Sequence, residues 1–520
     1  MSDSGNFMKA DLKQLRLRGL DTQTALDQLR TIKEASKPQR LLRSCTQGYG
    51  IHSFPRSEVD KLSREFEKPM ADGRAMKFVT ASGAATRMFS LYSSLLEKGR
   101  TDRQGLLKAA KSGDEEAREF LDFIQALPHF AFFEELKKGT SFQLLTPEGS
   151  PAISDFREPL QYLLGKEGLG FGAMPKGMIP FHSYPEGART ALEEHLIEAL
   201  GYLKDRSGKV RVHFTLSPHY LSLVQEHIKK ACKRFEGAYQ AQFEVVLSTQ
   251  DPATDTLVLD DQFQPLRDDR GSLVFRPGGH GALLGNLDAL GGDIVFVKTI
   301  DNVLPERFTA TVCLYKTALG GLLVRLQEQM FRFLEQLSTG SSNPKLICAI
   351  EEFLETMFFS TLPKKASLRE KAAALRALLD RPLRVCGVVK HQGEPGGKPC
   401  WVADSEGSAS LQLVESTEVD LNRPDQRQIW EASEYFNPVD IVCGLRDFRG
   451  GQFELFQYRD ASASFVTTKY HDGKELRVLE LPGLWNGSMA FWNTVFVEVP
   501  RITFHPVKTV MDLLGDAHRS

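Results

Sequence analysis

The sequence predicts an α/β fold, with three layers around a mixed, mostly parallel sheet, a helical insertion and a β-rich C-terminal extension. Two patterns carry the prediction. From about residue 76 to 305, short apolar runs such as "KFVTA", "KVRVHFTLS", "FEVVLS" and "DIVFVKTID" alternate with helical stretches. Parallel strands joined by helical crossovers produce that alternation. From 383 to 500, strand-like runs follow one another without helices between them: "LRVCGVVKH", "PCWVAD", "ASLQLVES", "DIVCGLRD", "FELFQYRD", "ASFVTTKY" and "TVFVEVP".

The elements divide the chain into four parts. Residues 1–70 form an N-terminal helical region, with Leu12, Leu15, Leu20, Ala25, Leu29 and Ile32 at rough helical spacing and a break at Gly19. A further helix spans about 56–68. Residues 71–310 form the α/β core. It is interrupted at about 100–150 by a helical insertion whose clearest part is "EEAREFLDFIQALPHF". Within the core a helix follows from Thr86 to Glu97, and "MPKGMIPFHSYPEGARTALEEHLIEALGYL" reads as a Pro/Gly-rich loop leading into an amphipathic helix. Residues 311–382 are helical, and 383–520 are β-rich.

Composition narrows the function. The chain has 520 residues, 41% hydrophobic and 25% charged, which is ordinary globular usage. With 65 basic and 67 acidic residues the formal charge is −2, which offers no electrostatic basis for a nucleic-acid or membrane-surface partner. The seven cysteines are scattered without a CxxC pair, so neither a zinc site nor a disulfide framework is expected. No apolar run approaches the ~18 residues of a membrane span. The first twenty residues lack a signal peptide's apolar core, so a cytoplasmic protein is expected.

Four motifs carry chemistry. In "VTASGAATRM" a strand ends in small residues and meets an arginine at a helix start. Backbone N–H groups there can cradle an anion, and Arg87 adds a fork of donors. In "MPKGMIPF" a proline fixes the approach to Lys176, a point charge suited to phosphate. In "FRPGGHGALLGNL" the glycines around His280 leave room for a ligand to lie against backbone. In "DIVFVKTIDNV" an apolar strand ends at Asp301, on the ligand-binding edge of an α/β sheet, where a carboxylate can hold Mg²⁺. Taken singly, each also reads as an ordinary turn.

In this order the four motifs resemble the nucleotide-diphospho-sugar transferase superfamily, and within it the long UDP-sugar pyrophosphorylases. The resemblance covers about 76–305. The whole chain, including "ELPGLWNGSMAFWNTVFVEVP" and "FHPVKTVMDLL", also resembles a bacterial family, domain of unknown function 4301. The first resemblance implies a Rossmann-like nucleotidyltransferase core of the GT-A type. It implies a reaction in which a nucleoside triphosphate, UTP favoured, and a sugar-1-phosphate are joined with release of pyrophosphate.

By that resemblance Arg87 and Lys176 are the catalytic residues. Ala81, Ser82, Gly83, Ala84, Ala85 and Thr86 hold the triphosphate, and Gly278, Gly279, His280 and Gly281 lie along the base and ribose. Asp301 binds Mg²⁺, Glu415, Asn486 and Asn493 stand near the sugar or metal, and Lys508 makes a second phosphate contact. The sequence departs from the family pattern in three places. The family loop has G-x-G-T-R where Ala84 and Ala85 here precede Thr86, Lys176 follows Arg87 by 89 residues, and a second metal ligand is not evident. The rival readings on the same fold are a glycosyltransferase and a non-catalytic nucleotide-sugar-binding protein. The former would need an Asp-x-Asp pair, for which "LDDQ" and "RDDR" have the wrong spacing.

Overall fold

The computed structural model describes residues 7–34, 38–140, 154–339, 343–360, 367–393, 396–403, 408–471 and 474–519. The chain divides into two compact units. One comprises Met1–Phe78, Ser248–Val297 and Leu314–Pro500, the other Val79–Leu247, Lys298–Cys313 and Arg501–Ser520.

The first unit is built on a sheet in the order Thr46–Gln47, Gly50–His52, Asn493–Glu498, Leu383–Lys390, Ile441–Gly444, Ile294–Thr299, Ala75–Thr80. The last two strands run on past the unit at their C-terminal ends. The pairs from Thr46–Gln47 to Leu383–Lys390 are parallel, while Ile441–Gly444 runs antiparallel to both neighbours. The sheet is therefore mixed and mostly parallel, as expected. Its central strands are buried almost throughout, which is why they read as continuous apolar runs rather than alternating ones. Two antiparallel sheets add to the unit: Arg40–Ser44 with Lys398–Ala403 and Ala409–Val414, and a four-stranded set from Phe275–Pro277 to Phe465–His471.

The second unit contains the adjacent strands Lys209–Leu216 and Gln242–Thr249 and the hairpin Pro180–Tyr184/Gly187–Thr190. It also contains the helical insertion, as Arg103–Lys111, Glu115–Ala126 and Phe133–Gly139. The insertion packs around an aromatic core that it shares with the preceding helix Ser90–Glu97. Tyr92 lies 4.3 Å from Phe123, and Phe130 stacks on Phe132 at 5.0 Å. Residues 141–150, expected to belong to it, lie outside the described residues.

Several local expectations are corrected. Three short strands between Arg40 and His52 interrupt the N-terminal helical region. They are too short for periodicity to reveal; Arg40–Ser44 and Gly50–His52 are defined by pairing with distant strands, and Thr46–Gln47 pairs with Gly50–His52. "FELFQYRD" forms a 3₁₀ turn at Leu455–Tyr458 rather than a strand. The helix after "ASGAAT" starts only at Ser90, preceded by a 3₁₀ turn at Ala85–Arg87. The helix Ala191–Leu203, expected to be amphipathic, is buried over eleven of its thirteen residues. Its acidic residues suggested a solvent face, but they are satisfied internally. Lys298 Nζ donates to Glu198 Oε2 at 2.7 Å, and Glu193 closes a capping box with Thr190.

Gly320 and Gly321 sit inside the long helix Thr309–Ser338, where each costs about 1 kcal/mol of helix propensity. Close packing explains them. A Cβ on Gly321 would lie 1.8 Å from the Leu62 carbonyl oxygen, and one on Gly320 2.7 Å from the Phe66 ring. Gly321→Ala should therefore destabilise the fold by about 1–3 kcal/mol despite its better propensity, as read from the midpoint of urea unfolding.

Candidate functional site: a carboxylate shared by two lysines

Three of the four motifs meet in the second unit. The strand Ala75–Thr80 ends at Thr80, whose carbonyl accepts the Ile300 N–H at 3.1 Å, so the loop after it starts beside the end of Ile294–Thr299. That loop is then held from the other side. Ala85 N–H donates to the Met174 carbonyl at 2.9 Å and Lys176 N–H to the Gly83 carbonyl at 3.0 Å, around a single bridge between Ala84 and Pro175. Pro175 and the following 3₁₀ turn Lys176–Met178 thus fix the Lys176 backbone against the loop. A hairpin, not a helix, follows this lysine.

Asp301 is the centre of the site. It lies just past the end of its strand and is 7% exposed. Its Oδ2 accepts from Lys176 Nζ at 3.1 Å and from Lys508 Nζ at 2.8 Å, and its Oδ1 accepts from Thr299 Oγ1 at 2.7 Å. Lys508 is brought in by the C-terminal segment. There Val507 N–H donates to the Asp301 carbonyl at 3.0 Å, and Asp512 Oδ2 accepts from the N–H groups of Lys508 and Thr509.

The electrostatics follow from this geometry. Burial alone would raise the Asp301 carboxyl, but the charges of Lys176 and Lys508 and the hydrogen bonds from Lys508 and Thr299 outweigh it, holding the group well below the usual carboxylate range. Burial lowers the Lys176 ammonium and Lys508 lowers it further, against the pull of Asp301. Lys176 and Lys508 share the Asp301 carboxylate, the Asp512 carboxylate lies close by on the turn that carries Lys508, and Lys508 is half-exposed.

The loop itself is open. Ser82, Gly83, Thr86 and Arg87 are exposed, Ala84 is partly so, and Ala81 and Ala85 are buried under them. A Cβ on Gly83 would meet nothing within 4 Å, so that glycine faces free space. The Arg87 side chain makes no hydrogen bond or ion pair among the described residues.

The Gly-rich turn lies in the first unit, and the structure corrects the reason for its glycines. A Cβ on Gly281 would lie 2.1 Å from the Pro482 carbonyl oxygen, one on Gly278 2.6 Å from the Thr254 carbonyl oxygen, and one on Gly279 2.9 Å from Glu480. The chain's own atoms approach each of these three Cα positions closely. Gly279 also takes a φ of +76°. His280 is a packed residue as well. Its ring stacks on Trp485 at 4.1 Å, and its Nδ1 accepts the Leu484 N–H at 3.0 Å. Trp485 Nε1 donates to Glu415 Oε1 at 3.1 Å, and Arg384 donates to the Trp485 carbonyl at 2.6 Å. Burial lowers the His280 imidazole, while Glu415 and Glu480 pull it up.

Asn486 is buried and donates to the Leu413 carbonyl at 3.0 Å, and Asn493 donates to the Leu378 carbonyl at 2.9 Å. Both amide nitrogens hold backbone carbonyls. The "LDDQ" and "RDDR" aspartates Asp260 and Asp268 accept backbone N–H groups within their own turns. Among the described residues no three His, Cys, Asp or Glu side chains are placed to share a metal ion. The donor set at Asp301 does not fit a protein-built magnesium site. It has one carboxylate, both of whose oxygens are engaged, and two ammonium groups that repel a cation.

The sequence matches the family described as Domain of unknown function (DUF4301) over residues 8–519. The chain belongs to that family. Among solved structures, it is similar to a variant UDP-glucose pyrophosphorylase from Leishmania major in complex with UDP-glucose, with a TM-score of 0.44 and 14% identity over 98% of this chain and 78% of that one. It is also similar to the UDP-N-acetylglucosamine pyrophosphorylase of Trypanosoma brucei in complex with inhibitor, with a TM-score of 0.49 and 12% identity over 98% and 79%. None of the curated proteins compared by sequence matches the chain. No helix among the described residues of this DUF4301 chain is long and apolar enough to cross a membrane.

Asp301→Asn should destabilise the fold by roughly 3 kcal/mol at pH 7, because Lys176 is left buried without a charge partner. The folded carboxyl lies below its ordinary value of 3.8, so its contribution is present above that value and is lost as pH falls below it. Urea unfolding from pH 7 to pH 2 should accordingly show a shallower acid loss in the Asn variant than in the native chain.

Proposed function

We propose that this chain is a nucleotidyltransferase. It joins a nucleoside triphosphate, UTP favoured, to a sugar-1-phosphate and releases pyrophosphate. The observation that carries the reading is the convergence of Lys176 and Lys508 on Asp301, beside an open backbone loop with an exposed arginine. Asp301 holds two cations at one point in a partly water-excluded place, at no further cost of ordering when a polyphosphate arrives. Each ammonium has donors left over for phosphate oxygens.

In the reaction an oxygen of the sugar-1-phosphate attacks the α-phosphorus. The P–O bond to the β-phosphate breaks, and its electron pair leaves on pyrophosphate. The nucleophile is already an anion, so no side chain has to take its proton. Lys176 and Lys508 offset the charge that accumulates on the phosphates, and Arg87 meets it from the loop. Magnesium belongs to the nucleotide in this reading, arriving as counter-ion of the triphosphate. The reading places the protein in the cytoplasm, where nucleoside triphosphates are available.

A pyrophosphate-release assay tests the proposal, crossing ATP, CTP, GTP, UTP and dTTP with a set of sugar-1-phosphates in the presence of magnesium. The expected result is turnover with UTP and one class of sugar phosphate, lowered at least about a hundredfold in both Lys176→Ala and Lys508→Ala. Binding of a nucleotide sugar without release in any combination would favour the non-catalytic reading.

A further inference from the structure

The C-terminal segment that carries Lys508 is tied into the second unit by a buried line of hydrogen bonds between residues far apart in the chain. His518 Nε2 lies 2.8 Å from the His505 carbonyl oxygen, His518 Nδ1 lies 2.9 Å from His182 Nε2, and His182 Nδ1 lies 2.8 Å from Glu194 Oε1. The same Glu194 oxygen accepts from Tyr184 O–H at 2.7 Å, and Tyr184 in turn accepts the Glu306 N–H at 3.0 Å. Glu194, His182 and His518 are 1%, 2% and 4% exposed.

The direction of this line can be worked out from one end. A carbonyl oxygen only accepts, so His518 Nε2 carries a proton. In a neutral imidazole its Nδ1 is then the acceptor, and His182 Nε2 must donate to it. By the same rule His182 Nδ1 accepts, which leaves Glu194 as the donor. Glu194 is therefore a carboxylic acid whose O–H points at His182 while its oxygen receives the Tyr184 O–H. Moving that proton onto His182 would create a carboxylate and an imidazolium, two charges taken out of water with little left to solvate them.

We infer that Tyr184, Glu194, His182 and His518 form a one-way hydrogen-bond line holding one acid proton, and that this line positions the segment 505–518 and with it Lys508. The consequence for Lys508 rests on the phosphate-binding reading above; the line itself does not. These are positioning residues, since none of them touches the Asp301 cluster.

The charged surroundings agree with a retained proton. Burial raises the Glu194 carboxyl to about 8, Tyr184 and Arg189 pull it down, and Glu306 and Glu193 push it up. Burial, with Arg307 and Arg189, lowers His182 to about 3. Burial and His182 lower His518 to about 4, where the His505 carbonyl and Asp512 act upward and the His505 ring downward. The signs give a maximum. Each histidine's folded value lies below its unfolded one, so their contribution to stability grows as pH rises towards ~6.5. The Glu194 folded value lies above its unfolded one, so its contribution falls from ~4.5 to 8. The contribution of the three together peaks near pH 6.5.

The test uses the full chain with inorganic pyrophosphate as probe. At pH 7, ¹⁵N NMR of the histidine rings, assigned by the loss of signals in His182→Gln and His518→Phe, should show both rings protonated at Nε2 and neutral. An Nδ1 proton on either ring overturns the line. In His518→Phe, and independently in Glu194→Leu, which can neither donate nor accept, hydrogen exchange of peptides covering 505–512 should speed up while that of the strand Lys209–Leu216 does not; Glu194→Gln, whose amide still donates to His182 and accepts from Tyr184, should leave it close to native. Unchanged exchange at 505–512 in His518→Phe and Glu194→Leu overturns the positioning role whatever pyrophosphate does. By calorimetry His518→Phe should weaken pyrophosphate about tenfold, and adding it to Lys508→Ala should cost nothing more. Additive losses would overturn the coupling to Lys508. A native chain that does not bind pyrophosphate would overturn the phosphate reading, while the NMR and exchange results still decide the line.

Discussion

The Asp301 carboxylate is the interaction on which the second unit's chemistry depends. A buried carboxylate is costly unless donors surround it, and here Lys176, Lys508 and Thr299 do so. The cost of burial is met by recruiting two cations that would otherwise repel each other. The arrangement binds the end of a strand, a proline-fixed turn and the C-terminal segment into one place. It also sets two ammonium groups beside backbone that is open to solvent. An anionic ligand can exploit both features without rearranging the fold.

The same reasoning separates this cluster from the Gly-rich turn of the first unit. Glycines that face empty space and glycines that face backbone look alike in sequence. Gly83 is of the first kind, whereas Gly278 and Gly281 are of the second. His280 likewise spends its ring on Trp485 and one nitrogen on backbone. Its surroundings are those of a structural pin, and Arg384 and Glu415 hold Trp485 in register beneath it.

Buried polar residues mislead sequence patterns most strongly in this protein. The helix Ala191–Leu203 carries three glutamates and a histidine and so resembles a surface helix, yet each glutamate has a partner that comes from elsewhere in the chain. Lys298 lies 100 residues from Glu198, and His182 reaches His518 across 336 residues. Periodicity records how polar a face is, not whether its polar groups are satisfied by water or by protein.

By itself the sequence determined the α/β class, the mostly parallel sheet, the aromatic helical insertion and the order of the four motifs. These are local in origin: apolar runs buried on both faces, small residues at a strand end, and a proline ahead of a lysine. Tertiary structure decided which of the motif residues meet. It placed Lys508 on the same carboxylate as Lys176, turned Asn486 and Asn493 onto backbone carbonyls, and filled the space around Gly278 and Gly281. It also built the line from Glu194 to His518. Those outcomes depend on distances between residues far apart in the chain, and spacing along the sequence carries no record of them.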